Sequence, residues 1–238
     1  MEQLIILISV SYTHLRAHET KANLVCRLLL EKGQVIIFDD FIEKDYQEKI
    51  KRELLGAEDH LGLQFPWYYV EDVTSAYSDD SQHRAGLSHS YVDLPLELTG
   101  DENDMLEPDS VGKVMSDYHE LFVPMLKRVG FKLGLRNLNV IQGRSFLQFP
   151  INTDGTIDNP HIDIIGKAEF IVALYYVCDS DGDTVIYNET KESKTYTIKK
   201  SVTPKQGRMV IFDGALYHAA KQPINSNTRC IVNYNLGV

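Results

Sequence analysis

The chain has 238 residues, 43% of them hydrophobic, which is ample material for a core in one large domain or two small ones and argues against disorder. Its formal net charge of −10 argues against a protein that tracks nucleic-acid phosphates, which needs a basic face, and so favours small molecules or proteins as partners. Three scattered cysteines, Cys26, Cys178 and Cys230, are too few for a disulfide framework or a zinc ribbon and fit a reducing, cytoplasmic compartment.

The apolar run over residues 4–10 is too short to cross a bilayer, and Glu2 stands where a secretory signal would be basic, so no membrane segment is expected. Residues 10–32, "VSYTHLRAHETKANLVCRLLLEK", differ in character from the rest. They resemble a translated sequencing-library adapter: GTC TCT TAT ACA CAT CTC CGA GCC CAC GAG encodes residues 10–19 word for word. His14 and His18, four apart, would share one helical face and could hold an ion there. The adapter resemblance removes them from consideration. Residues 1–32 are expected to be a non-native leader, and residues 33–238 the functional domain.

"QVIIFDDF" (34–41) reads as a buried strand, being β-branched, aromatic and bounded by turn residues. From 43 to 55, Tyr46, Ile50 and Leu54 recur every four residues among charges and Gly56 follows, which predicts an amphipathic helix with a C-terminal stop. Residues 57–110 read as irregular, with an aromatic island at 65–69 that favours packing over a substrate mouth, and an exposed acidic loop "LTGDENDMLEPDS". A second helix is predicted over 111–129, with Val114, Tyr118, Leu121, Met125 and Val129 on one stripe and a kink at Pro124. Beyond Leu138, short Val, Ile, Tyr and Phe runs alternate with turn signals at 138–149, 168–177, 184–187, 195–199, 208–212, 215–219 and 228–236. Strands at that spacing predict a sandwich or barrel with helices packed on it. "DSDGDT" (179–184) lacks the glycine and closing Glu of a calcium loop, so a hairpin turn on Asp181-Gly182 is expected.

Chemistry concentrates in this second half. "NPHIDIIG" holds the chain's one His-x-Asp pattern, His161 and Asp163. On an extended strand, residues two apart point to one side about 7 Å apart, close enough to meet at one ion. "GRMVIFDGALYHAAKQP" offers His218 as a third ligand from a distant strand. Two imidazoles and one carboxylate on one face of an octahedral ion leave three positions open, an arrangement suited to non-haem Fe(II); zinc would more often add Cys or a third His. Arg229 follows in "TRCIVNYN", where a guanidinium among Ile, Val and Tyr needs an anionic partner. Arg144 and Gln148, on the strand before the motif, carry no assigned role.

His161, Asp163, His218 and Arg229 together resemble the signature of the Fe(II)/2-oxoglutarate-dependent dioxygenases, and the flanking strands resemble their prolyl-hydroxylase-like branch, including phage and bacterial forms. The resemblance is specific from residue 159 onward and looser before 138, where "QVIIFDDFIEKDYQEKIKREL" is similar to that branch's opening strand and helix. It implies a mostly β fold with flanking helices (α+β), built on a double-stranded β-helix, the jelly-roll core shared with cupins. It also implies that His161, Asp163 and His218 hold Fe(II), that Arg229 grips the far carboxylate of 2-oxoglutarate, and that Tyr176 stands beside that arginine, with Tyr175 the alternative. The His-to-Arg interval is slightly longer than in the animal hydroxylases. The implied reaction is hydroxylation of an unactivated C–H bond with O2, while 2-oxoglutarate is decarboxylated to succinate and ascorbate serves as a rescuing reductant. The implied substrate is a small molecule or a peptide or protein side chain. Two competing readings are a non-catalytic jelly-roll binding or phage accessory module, and a zinc-dependent cupin-like enzyme, which would call for more histidines.

Overall fold

Side-chain alternation along the strands decides which core each residue enters. The structure, a computed structural model, describes residues 33–56, 65–73, 84–94, 111–135, 138–150, 157–165 and 169–237. The elements in chain order are β1 (Val35–Phe38), α1 (Lys44–Leu55), β2 (Tyr68–Val70), β3 (Gly86–Asp93), β4 (Lys113–Val114), a 3₁₀ turn (Asp117–Leu121) and α2 (Val123–Leu133). They continue with β5 (Asn139–Gln148), β6 (Phe170–Tyr176), β7 (Thr184–Tyr187), β8 (Ile198–Val202), β9 (Met209–Asp213), β10 (His218–Ala220) and β11 (Arg229–Gly237).

All strand pairs are antiparallel. The large sheet runs β1-β9-β6-β11-β5-β3-β2, with β4 against β3, and a second sheet runs β10-β7-β8. On β6, Ile171, Ala173 and Tyr175 join Ile50 and Leu54 of α1 and Met125, Val129 and Leu133 of α2 in the core behind the large sheet. Val172, Leu174 and Tyr176 enter the second core, where Ile186 of β7 and Val202 of β8 meet Val210 and Phe212 of β9. A twofold period therefore feeds one core between a sheet and its covering helices and another between facing sheets. This is the mostly β architecture with packed helices that the strand spacing predicts, and it agrees with the jelly-roll that the resemblance implies.

The first helix forms as predicted: Ile50 and Leu54 are buried, and the chain leaves it at Gly56 with φ 82°. At the other end of this helix Gly207 has φ +81°, and a Cβ there would lie 2.3 Å from the Gln47 side chain. The buried Gln47 amide donates to the Ile42 carbonyl at 2.8 Å.

Three expectations are corrected. The helix expected over 111–129 is instead β4, the 3₁₀ turn and α2, which begins at Val123 and runs on to Leu133. The reason is that Ser116 caps the 3₁₀ turn by accepting from the Tyr118 N–H at 3.3 Å, while Pro124 sits in the first turn of α2, where its missing N–H costs nothing. The stretch read as irregular contains β2 and β3; β3 escaped notice because "GLSHSYVD" lacks a β-branched run. No hairpin forms on Asp181-Gly182, because β6 and β7 lie in different sheets and the chain crosses between them there. His14, His18, Cys26 and the acidic loop lie outside the described residues. Within the aromatic island, Phe65 and Trp67 pack on the helix-side core, and Tyr68 and Tyr69 are exposed. No described helix is long and apolar enough to cross a membrane.

Candidate active site

The cavity between the two sheets is lined by residues 161, 163, 184, 218, 229 and 233, among others. His218 opens β10, and its backbone exchanges two hydrogen bonds with His161, N–H to carbonyl, at 2.9 and 3.0 Å. This two-bond bridge sets one imidazole against the other, with ring centroids 4.7 Å apart. The His-x-Asp segment is not an extended strand as expected. It is a loop pinned to the β10 side by bridges at Ile157 and His161, and Asp163 lies at a bend within it.

Asp163 Oδ1 stands 3.4 Å from His218 Nε2 and 3.7 Å from His161 Nε2. One ligand atom from each of the three residues lies within 4.8 Å of the others. Both Nδ1 atoms face backbone carbonyls, His161 that of Asn159 at 3.1 Å and His218 that of Leu216 at 3.2 Å. A carbonyl only accepts, so each Nδ1 carries the proton and each Nε2 turns a lone pair towards the common centre. Burial pushes the His161 imidazole down to about 4, and His218 adds to the effect. At His218 the Asp163 carboxylate outweighs burial and raises the value. Burial opposes ionisation of Asp163, but the two imidazoles and Asn233 prevail and hold its carboxyl well below the usual range. This is a preoriented set of one carboxylate and two imidazoles that fits a divalent ion, whose binding would displace any proton held at His218 Nε2.

Arg229 opens β11 on the same cavity and is 2% exposed. Its Nε donates to the Gly182 carbonyl at 2.8 Å, Nη1 to Gln148 Oε1 at 2.6 Å and Nη2 to Thr184 Oγ1 at 2.7 Å. All three partners are neutral, and among the described residues no carboxylate forms an ion pair with it. A guanidinium has five N–H donors, and burial lowers its pKa without discharging it at neutral pH. A buried, charged fork with donors to spare fits an incoming carboxylate.

Tyr176 enters this core and Tyr175 enters the helix-side core, so the alternation separates the two candidates. Tyr176 meets Arg229 indirectly: its hydroxyl donates to the same Thr184 Oγ1 at 2.7 Å. The sequence reading missed Thr184 and left Gln148 without a role. It also missed Asn233, although period two from Arg229 puts residues 231 and 233 on its face of β11. Arg144 is paired with Asp93 at 3.1 Å. Another unforeseen group is the buried pair of Arg84 Nε and Asp158 Oδ1 at 3.3 Å, where Asp158 also accepts from the Gln222 amide at 2.8 Å.

The chain matches no protein-family model and no curated protein. Solved structures do resemble it. An oxidoreductase of the 2OG-Fe(II) oxygenase family from Burkholderia pseudomallei aligns with a TM-score of 0.59 at 10% identity, covering 91% of this chain and 90% of that one. A prolyl-4-hydroxylase from Pseudomonas putida aligns at 0.52 and 11% identity, covering 91% and 97%. A prolyl hydroxylase from Trichoplax adhaerens, in complex with a hypoxia inducible factor peptide fragment, aligns at 0.50 and 13%, covering 94% and 92%. At these identities the likeness establishes the fold, and function has to be argued from the site.

Proposed function

We propose that the chain is an Fe(II)- and 2-oxoglutarate-dependent dioxygenase that hydroxylates an unactivated C–H bond. The observation that carries this reading is a conjunction: the His161, Asp163 and His218 cluster shares one cavity with a buried Arg229 that, among the described residues, forms no ion pair with a carboxylate. A bound iron would supply the oxygen chemistry, by which O2, 2-oxoglutarate and a substrate C–H become carbon dioxide, succinate and an alcohol.

The protein's own part is orientation and shelter. The two Nε2 atoms and Asp163 Oδ1 would hold the ion, and the bonds from each Nδ1 to a backbone carbonyl fix the ring planes. Arg229 would take the far carboxylate of 2-oxoglutarate, steadied by Gln148 and Thr184, and Tyr176 would support this grip through Thr184. Phe146, Leu174 and Ile231 give the cavity apolar walls, which strengthen the electrostatic grip by excluding water.

A non-catalytic jelly-roll module would have no use for a charged guanidinium buried among neutral partners. A zinc cupin would call for more histidines, and the metal cluster found among the described residues contains two. Within the fold, we place the chain in the prolyl-hydroxylase-like branch of phage and bacterial type, acting on a small molecule or on a peptide or protein side chain. Ascorbate would sustain turnover, and the buried free thiols of Cys178 and Cys230 suit a reducing cytoplasm.

The test is succinate formation by the purified chain with Fe(II), 2-oxoglutarate, ascorbate and a panel of peptides and small molecules. Succinate above the His161→Ala background, rising with one class of substrate, is expected. Wild-type protein that forms no more succinate than His161→Ala overturns the reading.

A further inference from the structure

Asn233, in the middle of β11, faces the cavity four residues beyond Arg229. Its Nδ2 donates to Asp163 Oδ2 at 2.8 Å. Its Oδ1 is buried and has no hydrogen-bond partner among the described residues. An apolar residue would fill this strand position without stranding a carbonyl oxygen, so the amide's presence is explained by the one bond it does make. The carboxylate of Asp163 also fixes the orientation of that amide, because the opposite flip would set oxygen against oxygen.

The consequence lies in how the two oxygens of Asp163 are divided. Oδ1 faces both imidazoles, at 3.4 and 3.7 Å, while Oδ2 is held by Asn233. We infer that Asn233 is a positioning residue that keeps Asp163 a one-oxygen ligand. With Oδ2 tied to the β11 floor, the carboxylate cannot rotate to present both oxygens to one ion, and three adjacent coordination positions stay free. A two-oxygen Asp163 would take one of the positions needed by a chelating cosubstrate and oxygen. This inference rests on the oxygenase reading of the site.

The test measures two affinities under anaerobic conditions: Co(II) for the free protein, and 2-oxoglutarate for the Co(II)-loaded protein, in wild type, Asn233→Leu and Asn233→Ser. Both variants remove the amide donor, the first with little change in shape and the second with less risk of overpacking. Co(II) affinity is expected to stay near wild type, while 2-oxoglutarate affinity falls by about tenfold or more. The visible Co(II) spectrum should change before any 2-oxoglutarate is added. Unchanged 2-oxoglutarate affinity in either folded variant, or equal losses of both affinities, overturns the inference. Wild-type protein that takes up Co(II) no better than His161→Ala would instead overturn the oxygenase reading, and this inference with it.

Discussion

Arg229 and Tyr176 both donate to the hydroxyl oxygen of Thr184, each at 2.7 Å, so a single side chain links the buried guanidinium to the buried phenol. Replacing Thr184 by Val leaves an Arg229 N–H short of an acceptor and the Tyr176 hydroxyl with only its longer bond to the Val202 carbonyl at 3.3 Å, whereas Tyr176→Phe removes one donor cleanly. Thr184→Val should therefore destabilise the protein by about 1–3 kcal/mol and Tyr176→Phe by about 1 kcal/mol. Denaturant unfolding of both variants checks the order, and the KM for 2-oxoglutarate should rise more in Thr184→Val.

Arg229 should be irreplaceable even by Lys. A lysine brings a point charge in place of a planar fork, so Arg229→Lys should weaken 2-oxoglutarate binding by tenfold or more, the loss of about one charged hydrogen bond. In wild type with Mn(II), 2-oxoglutarate at about 100 times its Kd should add about 2.7 kcal/mol of stability and raise Tm by several degrees. Differential scanning fluorimetry should find this rise cut to about half or less in Arg229→Lys at the same concentration, since tenfold weaker binding leaves about 1.4 kcal/mol.

Asp181 organises the turn that leads into β11. It accepts from the backbone N–H of Ile224, Asn225 and Ser226, at 3.1, 2.7 and 3.1 Å. Burial would raise its pKa, but these donors outweigh it and hold the carboxyl well below the usual range. A depressed folded-state pKa contributes stability that is fully present above the unfolded value, about 3.9, and lost as pH falls towards the folded value. Wild-type Tm should therefore fall more steeply than that of Asp181→Asn below about pH 4, with the gap between the two shrinking as pH falls. Parallel curves would contradict this.

The Arg84 and Asp158 pair ties the segment before β3 to the loop that carries His161. Both residues are buried, so Asp158→Ala would strand the Arg84 guanidinium and should cost about 3–5 kcal/mol. Asp158→Asn keeps an acceptor for Gln222 and should cost less. An unfolding midpoint of Asp158→Ala equal to that of wild type would refute the ion-pair account.

Much of the site was legible because its chemistry is carried by residue types that stand out in apolar strands. His218 after "MVIFDGALY" and Arg229 before "CIVNY" are conspicuous, and period two along β6 makes Tyr176 and Tyr175 alternatives on opposite faces. Thr184, Gln148 and Asn233 were not read because a Thr, Gln or Asn in a strand is unremarkable until a partner is known. Gly182 was taken for a turn residue, yet its φ is not positive. Its place is explained by crowding, since a Cβ there would meet the Lys221 carbonyl at 2.6 Å and Arg229 Cδ at 2.9 Å. Such long-range contacts leave no local signature. The same holds for Arg84 and Asp158, 74 residues apart in sequence and joined only by the fold.

The central claim is that His161, Asp163 and His218 bind iron so as to leave room for chelation by 2-oxoglutarate. Anaerobic absorption titration tests it most directly. A visible charge-transfer band should grow only when Fe(II) and 2-oxoglutarate are both present, saturate at one equivalent of each, and vanish in His161→Ala. A wild-type protein that gives no band, or a band that survives in His161→Ala, would contradict the account.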